Sequence, residues 1–192
     1  KSRPWTLLRM FSILTSTSAS GRIAVIVRHA VRPCSLGSIL VAATEAGVCA
    51  LFLGDDPETL RHNLRTRFPH AEHDDGDRQF EGWVAEAVRF VDEPGREFGA
   101  PLDLRGTEFQ RQVWEALRAV PAGRTASYTA IAERIGRPTA ARAVAQACGA
   151  NPVAIAVPCH RILRSDDSLS GYRWGVERKA ELLRREGATA AG

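Results

Sequence analysis

Three short apolar stretches near the start of the chain predict a small β-sheet. They cover residues 23–27, 38–43 and 47–53, and Gly, Pro or a Glu-Ala-Gly turn separates each stretch from the next. Runs of this length that are rich in β-branched residues and bounded by turn residues are typical of strands. Because the connections are short, the three strands are expected to form an antiparallel meander.

Two helices are predicted after these strands. Asp56, which is followed by a proline, suits the N-cap of a helix over 57–68. Apolar residues at helical spacing predict a second helix over 80–91. The polar residues 70–77 are expected to form a loop, and 101–104 a short extended segment. The first half of the chain therefore reads β-β-β-α-α-β.

The second half predicts a mainly helical arrangement. Thr107 suits the N-cap of a helix over 109–120, which ends before a proline. Two short helices are predicted over 127–136 and 140–148. Short helices joined by a tight turn that contains glycine are the pattern of a helix-turn-helix. A last helix is predicted over 176–186 and ends at a glycine.

An apolar run over 154–157 leads to the side chains with the most reactive chemistry. The run ends at Pro158, and Cys159 and His160 follow directly. A core strand or an extended segment is therefore expected to end in a tight turn that displays a thiol and an imidazole. Cysteine is nucleophilic, and a nearby histidine can lower its pKa or accept its proton. The alternative is a buried cysteine that only packs, beside a surface histidine.

Composition and charge narrow the class of protein. The chain has 192 residues, of which 44% are hydrophobic, and a formal net charge of +4. No run is long enough for a transmembrane helix. Its four cysteines form no CxxC pair, which favours a reducing, cytoplasmic setting. The positive charge is concentrated within 111–185, which is compatible with nucleic-acid binding. Residues 1–21 are expected to be a flexible tail or linker, and 189–192 a second tail.

The helix over 140–148 allows two interpretations. Its one long side chain before Gln146 is Arg142, and the residues around Arg142 are small. It is either a buried alanine-rich helix with Arg142 at its edge, or a helix that lies close against DNA. In the second case Arg142 would project into the duplex, as side chains do in proteins that extrude a base.

The sequence around Cys159 resembles a known family. Asn151-Pro152-Val153 followed by Pro158-Cys159-His160-Arg161 is similar to the active-site signature of the O6-alkylguanine-DNA alkyltransferases, also called methylated-DNA–protein-cysteine methyltransferases. Ser127-Tyr128, the alanine-rich helix and the segment 175–186 occur in the same order as in that family. Further stretches are similar to the C-terminal half of the Ada-type bacterial members, namely 48–56, 101–107 and 169–176. The resemblance covers about residues 22–187.

The resemblance implies a role for each residue of the site. Cys159 is expected to accept the alkyl group, with His160 as its base through a water and Glu186 orienting the imidazole. Asn151 is expected to hold the turn by bonding to backbone, and Tyr128 to donate to the guanine and help neutralise it as a leaving group. The thiolate would displace guanine without a metal or organic cofactor. Because the thioether product has no easy hydrolysis route, each molecule is expected to react once.

The resemblance also implies which residues contact the substrate. Arg142 is expected to fill the space of the extruded nucleotide, and the other residues of the DNA-facing surface are Thr139, Ala140, Ala141 and Ala143. The residues expected to line the substrate pocket are Val157, Pro158, Tyr172, Arg173, Trp174 and Lys179. A bulky Trp174 would narrow that pocket, which predicts a preference for methyl over larger alkyl groups.

An α/β (α+β) fold of two domains follows from the resemblance. A small ribonuclease-H-like α/β domain is expected over 22–104, and a mainly helical domain with the helix-turn-helix and the acceptor cysteine over 105–188. The expected partner is double-stranded DNA that carries O6-alkylguanine, bound by a monomer in the bacterial cytoplasm, at the nucleoid, with no membrane contact. The chain is also compatible with being part of a longer multidomain Ada-type protein.

Other hypotheses stand beside this one. A DNA-binding or regulatory module without alkyl transfer would use the helix-turn-helix alone, but family members of that kind lack the acceptor cysteine. A Cys-His hydrolase would need an oxyanion hole, which no feature of the sequence requires. Cys34 and Cys49, with the histidines around them, lack the tight spacing of zinc ligands. Cys148 suits a small packing residue rather than a second acceptor.

Overall fold

The N-terminal part of the molecule is built on a four-stranded sheet. Its strands are β1 (Ile26–Cys34), β2 (Gly37–Thr44), β3 (Gly47–Gly54) and β4 (Glu72–Asp74), in the order β3-β2-β1-β4. The first three strands form the predicted antiparallel meander, and β4 runs parallel to β1. The structure, a computed structural model, describes residues 25–188 except 70, 75, 76, 94, 167 and 170.

Two details of this sheet differ from the prediction. Strand β1 begins at Ile26 and continues to Cys34, well past the predicted end at residue 27, because its pairing with β2 extends to the turn. Residues 23 and 24 of the predicted strand lie outside the described residues. The predicted loop 70–77 contains β4. Its polar residues carry no apolar alternation, and it is a strand because its backbone pairs with β1.

Two helices of the N-terminal part agree with the predicted ones. Helix α1 (Pro57–Arg67) starts at the N-cap Asp56, whose carboxylate accepts from the backbone N–H groups of Glu58 and Thr59. Helix α2 (Arg78–Asp92) starts two residues before the predicted range. Its buried side chains recur at helical spacing, at residues 80, 84, 87, 90 and 91, which directs one face towards the sheet.

The C-terminal part contains four helices that begin and end within two residues of the predicted bounds. They are α3 (Glu108–Arg118), α4 (Tyr128–Arg134), α5 (Ala141–Gly149) and α6 (Val176–Arg185). Thr107 and Gln110 form a reciprocal capping box on α3, and Ser127 caps α4. The turn between α4 and α5 uses Gly136 with φ of 72°, which glycine adopts without strain. These two helices form the predicted helix-turn-helix.

One continuous cluster of buried apolar residues includes residues from both parts. Between the parts, the Leu51 N–H donates to Pro152 O at 2.9 Å and the Ala154 N–H donates to Leu51 O at 3.0 Å. Strands β5 (Ala126–Ser127) and β6 (Ile162–Leu163) form a short parallel pair of their own. The edge of β3 therefore supports the segment that precedes Cys159. No helix in the described part of the chain is long and apolar enough to cross a membrane.

Helix α3 is joined to α5 by its central tryptophan. The Trp114 indole is fully buried, and its Nε1–H donates to Ala147 O at 3.0 Å. Gly106 lies directly against this ring, since a Cβ at Gly106 would stand 2.6 Å from two ring carbons. The side chain of Trp114 can therefore keep its place only if residue 106 has no Cβ.

We expect Gly106→Ala to lower the free energy of unfolding by about 1–3 kcal/mol, because the added methyl group overpacks the site. Gly82 is the matched control. It lies within α2, and a Cβ there meets nothing within 4 Å. Gly82→Ala should raise the free energy of unfolding by roughly 0.5–1 kcal/mol, since alanine favours the helix. Urea unfolding of the three proteins measures both changes, and equal stabilities would contradict this account of residue 106.

Candidate active site

The segment from Asn151 to Arg161 is called here the Cys-His turn, and the apolar run within it is not the strand or extended segment that was predicted. Only Val153 forms a β-bridge, with Leu51, and residues 154–156 form a turn. Ile155 has φ of 68°, a left-handed conformation that is unusual for a β-branched residue. Cys159–Arg161 then form one turn of 3₁₀ helix. The apolar run marks burial correctly, but burial alone does not decide between an extended and a turned backbone.

Asn151 holds the Cys-His turn in this shape. Its Oδ1 accepts from the Val153 N–H at 2.9 Å, and its Nδ2 donates to Val157 O at 2.8 Å and to Cys159 Sγ at 3.2 Å. The amide is fully buried and uses both of its ends. A left-handed residue such as Ile155 costs on the order of 1–3 kcal/mol. The hydrogen bonds of Asn151 across the turn offset this cost and fix the position of the thiol.

A buried cluster of three charged or titratable side chains lies beside the turn. His160 Nε2 is 3.0 Å from Glu186 Oε1, and Glu186 is the residue directly after α6. The Arg161 guanidinium donates two hydrogen bonds to the same carboxylate, from Nε to Oε2 at 2.9 Å and from Nη2 to Oε1 at 2.8 Å. Its Nη1 donates to Val120 O at 2.6 Å. This bidentate geometry fixes the carboxylate in one orientation.

The cluster keeps Glu186 ionised and His160 neutral. Burial opposes ionisation of Glu186, but the bonds from His160 and Arg161 outweigh it and lower its pKa to about 2. Burial lowers the pKa of His160, and the Glu186 carboxylate only partly offsets this. A carboxylate accepts hydrogen bonds, so the neutral imidazole carries its proton on Nε2. Its Nδ1 is then the basic atom, and that atom is buried without a hydrogen-bond partner among the described residues.

The Cys159 thiol is protonated at rest. Burial raises its pKa, while the bond from Asn151 and the charge of Lys179 act in the opposite direction. Lys179 is fully buried, and its Nζ donates to Ile162 O at 2.6 Å. A thiol in this setting reacts only if a base removes its proton and nearby groups stabilise the thiolate.

Cys159 lines a cavity of about 760 Å³. The cavity lies between the start of α4, one face of α5 and the segment that follows the Cys-His turn. Its other lining residues are Tyr128, Thr129, Ala141, Arg142, Ala145, Cys148, Gly149, Arg164, Ser165, Gly171, Tyr172 and Arg173. A nucleophile in the wall of an open cavity of this size has room for a planar base beside it.

The structure brings together many of the residues expected at the site. Tyr128, Ala141, Arg142, Tyr172 and Arg173 line the cavity with Cys159. Thr139, Ala140 and Ala143 do not line it. They lie at the start of α5 near Arg142, where Thr139 is exposed and the two alanines are half-buried.

Four residues expected to line the pocket lie elsewhere. The Trp174 ring is buried and stacks on Phe52 of β3 with centroids 4.9 Å apart, so the expected narrowing of the pocket by Trp174 is wrong. Lys179 is buried behind the turn and contacts the backbone of Ile162. The Val157 carbonyl accepts from Asn151, and its side chain is fully buried. Pro158 lines a different pocket, together with Ile155 and Arg161.

Arg161 is the main residue whose part in the site the sequence did not reveal. The sequence could have indicated it, because Arg161 lies within an apolar segment and a buried arginine needs a carboxylate partner. Ala145 and Gly149 were missed as well, although both fall on the same face of α5 as Arg142, three and seven residues later. Among the described residues no group of three or more His, Cys, Asp or Glu could hold a metal ion.

Comparisons with known proteins agree with this geometry. The family model described as "6-O-methylguanine DNA methyltransferase, DNA binding domain" matches residues 108–188. Over 160 residues the chain is 52% identical to the bifunctional transcriptional activator/DNA repair enzyme Ada of Escherichia coli. The matched stretch covers 83% of this chain and 45% of Ada. It therefore spans less than half the length of that relative.

Two shorter proteins are matched over most of their length. The inducible methylated-DNA–protein-cysteine methyltransferase of Bacillus subtilis is 40% identical over 144 residues, which are 74% of this chain and 80% of that protein. The crystal structure of Mycobacterium tuberculosis OGT in complex with DNA has a TM-score of 0.68 and 39% identity, covering 85% of this chain and 93% of that one. By its sequence and by its fold, the chain belongs to the methylated-DNA–protein-cysteine methyltransferases.

Proposed function

We propose that this chain repairs DNA by moving the alkyl group of O6-methylguanine to Cys159, once per molecule. The observation that carries the proposal is the position of the Cys159 thiol. It lines a cavity large enough for a base, and the His160–Glu186–Arg161 cluster lies directly beside it. A displacement at carbon needs a nucleophile and a base of this kind, and the relatives named above are methyltransferases of methylated DNA.

The reaction balances without a cofactor. The Cys159 sulfur attacks the methyl carbon, a C–S bond forms, and the bond between that carbon and guanine O6 breaks. The electron pair of the broken bond stays on the guanine, and the thiol proton passes to His160. Because a thioether is a poor leaving group, the product persists and the protein acts stoichiometrically.

His160 receives the proton through Nδ1, which faces away from Glu186. Cys159 and His160 are neighbours in one 3₁₀ turn, and Sγ is hydrogen-bonded to Asn151. In this proposal a water carries the proton from Sγ to Nδ1. Glu186 then stabilises the imidazolium, as the buried carboxylate of a Ser-His-Asp triad does. Lys179 adds a positive charge that favours the thiolate.

The guanine leaves as an anion and needs a hydrogen-bond donor that stabilises its negative charge. Tyr128 lines the cavity at the first position of α4, and in this proposal its hydroxyl donates to the departing base. A phenol suits this role because it donates a strong hydrogen bond while keeping its proton at neutral pH. The requirement for a donor at this place is a reason for an aromatic hydroxyl rather than a phenylalanine at residue 128.

The partner in this proposal is duplex DNA. Helix α5 presents small residues and Arg142 on the side of the cavity, which allows close approach to a duplex. Arg142 fills the space of the extruded nucleotide, and Thr139, Ala140 and Ala143 lie against the backbone. Each monomer carries one acceptor and acts alone, at the nucleoid.

Intact-protein mass spectrometry tests the reaction and the acceptor together. After incubation with a duplex that contains one O6-methylguanine, we expect a gain of one methyl group per protein, saturating at one and located on Cys159. Cys159→Ala should gain nothing. Cys49→Ala is the matched control, since Cys49 is buried in β3 and outside the cavity, and it should react like the native chain.

Three other results would contradict the proposal, and each would indicate a different function or acceptor. Tight lesion binding without a mass gain would favour a damage-binding module without alkyl transfer. A methyl group on Cys148 would mean that the acceptor is misassigned, because this residue lines the same cavity. Repeated turnover of an ester or amide would favour a Cys-His hydrolase.

Glu186→Gln tests the proton relay. The amide cannot stabilise an imidazolium as a carboxylate does, so we expect the rate constant of methyl transfer at saturating DNA to fall about 100-fold. The DNA dissociation constant should stay unchanged, since Glu186 is buried behind the turn. The substitution also leaves the buried Arg161 charge without its partner, which lowers the free energy of unfolding by about 3–5 kcal/mol.

Glu181→Gln is the control for Glu186→Gln. Glu181 lies on α6 as well, but its partners are the exposed Arg184 and the half-buried Arg185. We expect its transfer rate to equal that of the native chain. Rates are measured well below the unfolding temperature of each variant, by single-turnover quenching. A native rate in Glu186→Gln would remove Glu186 from the mechanism.

A further inference from the structure

The cavity wall is positively charged on two sides. Arg142 comes from α5, whereas Arg164 and Arg173 come from the segment after the Cys-His turn, and none of the described residues that line the cavity carries a carboxylate. Within the described part of the chain, none of these three arginines lies within ion-pair distance of a carboxylate. All three are exposed. Most other arginines in the described part of the chain pair with a carboxylate, and three that do not are gathered here around one cavity, which favours an anionic ligand.

Arg173 is held in position by aromatic rings. Its guanidinium lies 5.1 Å from the centroid of the Trp174 ring and 5.8 Å from that of Phe52. Those two rings stack on each other with centroids 4.9 Å apart. A guanidinium over aromatic faces keeps the N–H groups at its edge available as donors. Because the rings already restrict the Arg173 side chain, a ligand that binds it causes a smaller loss of conformational entropy.

The surroundings of Arg173 also favour an anionic ligand. Partial burial lowers the pKa of Arg173, and the positive charge of Arg67 acts in the same direction. The guanidinium nevertheless stays charged at every physiological pH. The nearby positive charges of Arg173 and Arg67 favour a ligand that is negative and accepts several hydrogen bonds. A DNA phosphate has this chemistry and accepts both donors of an arginine edge.

We propose that Arg173 and Arg164 bind backbone phosphates of the strand whose nucleotide enters the cavity. This inference rests on the proposed function, because it takes the ligand to be DNA that carries the lesion. Arg142 acts from α5, so the strand is held from both sides of the cavity entrance. Phe52 belongs to β3, and through the stacked rings the N-terminal sheet supports a DNA contact that the C-terminal half makes.

The test is the salt dependence of DNA binding. All proteins carry Cys159→Ala, so that no transfer occurs, and fluorescence anisotropy gives the dissociation constant for one labelled duplex at several salt concentrations. Loss of one phosphate contact reduces the slope of log K against log salt by about 0.9. We expect that reduction for Arg173→Gln and again for Arg164→Gln, each with roughly tenfold weaker binding to the lesion duplex. Arg173→Lys should recover part of the loss, because it keeps the charge but not the planar edge.

Arg89→Gln is the matched control, since it removes one positive charge from α2, where Arg89 is paired with Glu86. It should leave both slope and affinity unchanged. An undamaged duplex of the same sequence should show a smaller loss than the lesion duplex. An unchanged slope in Arg173→Gln, or equal losses on both duplexes, would overturn the inference. If the native chain does not methylate itself, the proposed function fails, whereas the salt slope still decides the role of the two arginines.

Discussion

The ionised carboxylate of Glu186 is the interaction on which the site depends. It is buried at the end of α6 and accepts from His160 and, twice, from Arg161. A buried carboxylate of this kind is costly unless all of its partners are present. Its presence therefore sets the tautomer of His160, anchors the 3₁₀ turn that carries Cys159, and fixes where α6 ends against the rest of the fold. One group provides both the stability of the turn and the polarity of the base.

The N-terminal sheet contributes to the same geometry, although it holds no proposed catalytic residue. The open edge of β3 binds the Cys-His turn through the backbone of Leu51, and Phe52 next to it stacks on Trp174. The left-handed Ile155 persists because Asn151 and this edge determine the backbone on either side of it. The reactive turn is thus formed before any substrate arrives, and contacts outside the cavity offset the backbone strain at Ile155.

Much of this could be predicted from the sequence, for identifiable reasons. The helices were predicted because their signals are local, such as the caps at Asp56 and Thr107. The conformation of the Cys-His turn was not, because it depends on bonds from the Asn151 side chain and on pairing with a distant strand. The place of Trp174 was mistaken for a similar reason, since nothing near it in the chain shows that its neighbour is Phe52. Arg161 was overlooked because its partner, Glu186, lies 25 residues later in the chain and comes beside it only in the folded protein.

The most direct test of this account is the protonation state of His160 in the native chain, read from the ring nitrogens by ¹⁵N NMR with His160→Gln to assign the signal. Because burial lowers the pKa of His160 and Glu186 only partly offsets this, the pKa of the ring should lie below that of an ordinary histidine and the ring should be neutral at pH 7. We predict a proton on Nε2 and none on Nδ1. An imidazolium at pH 7, or a neutral ring with its proton on Nδ1, would contradict it.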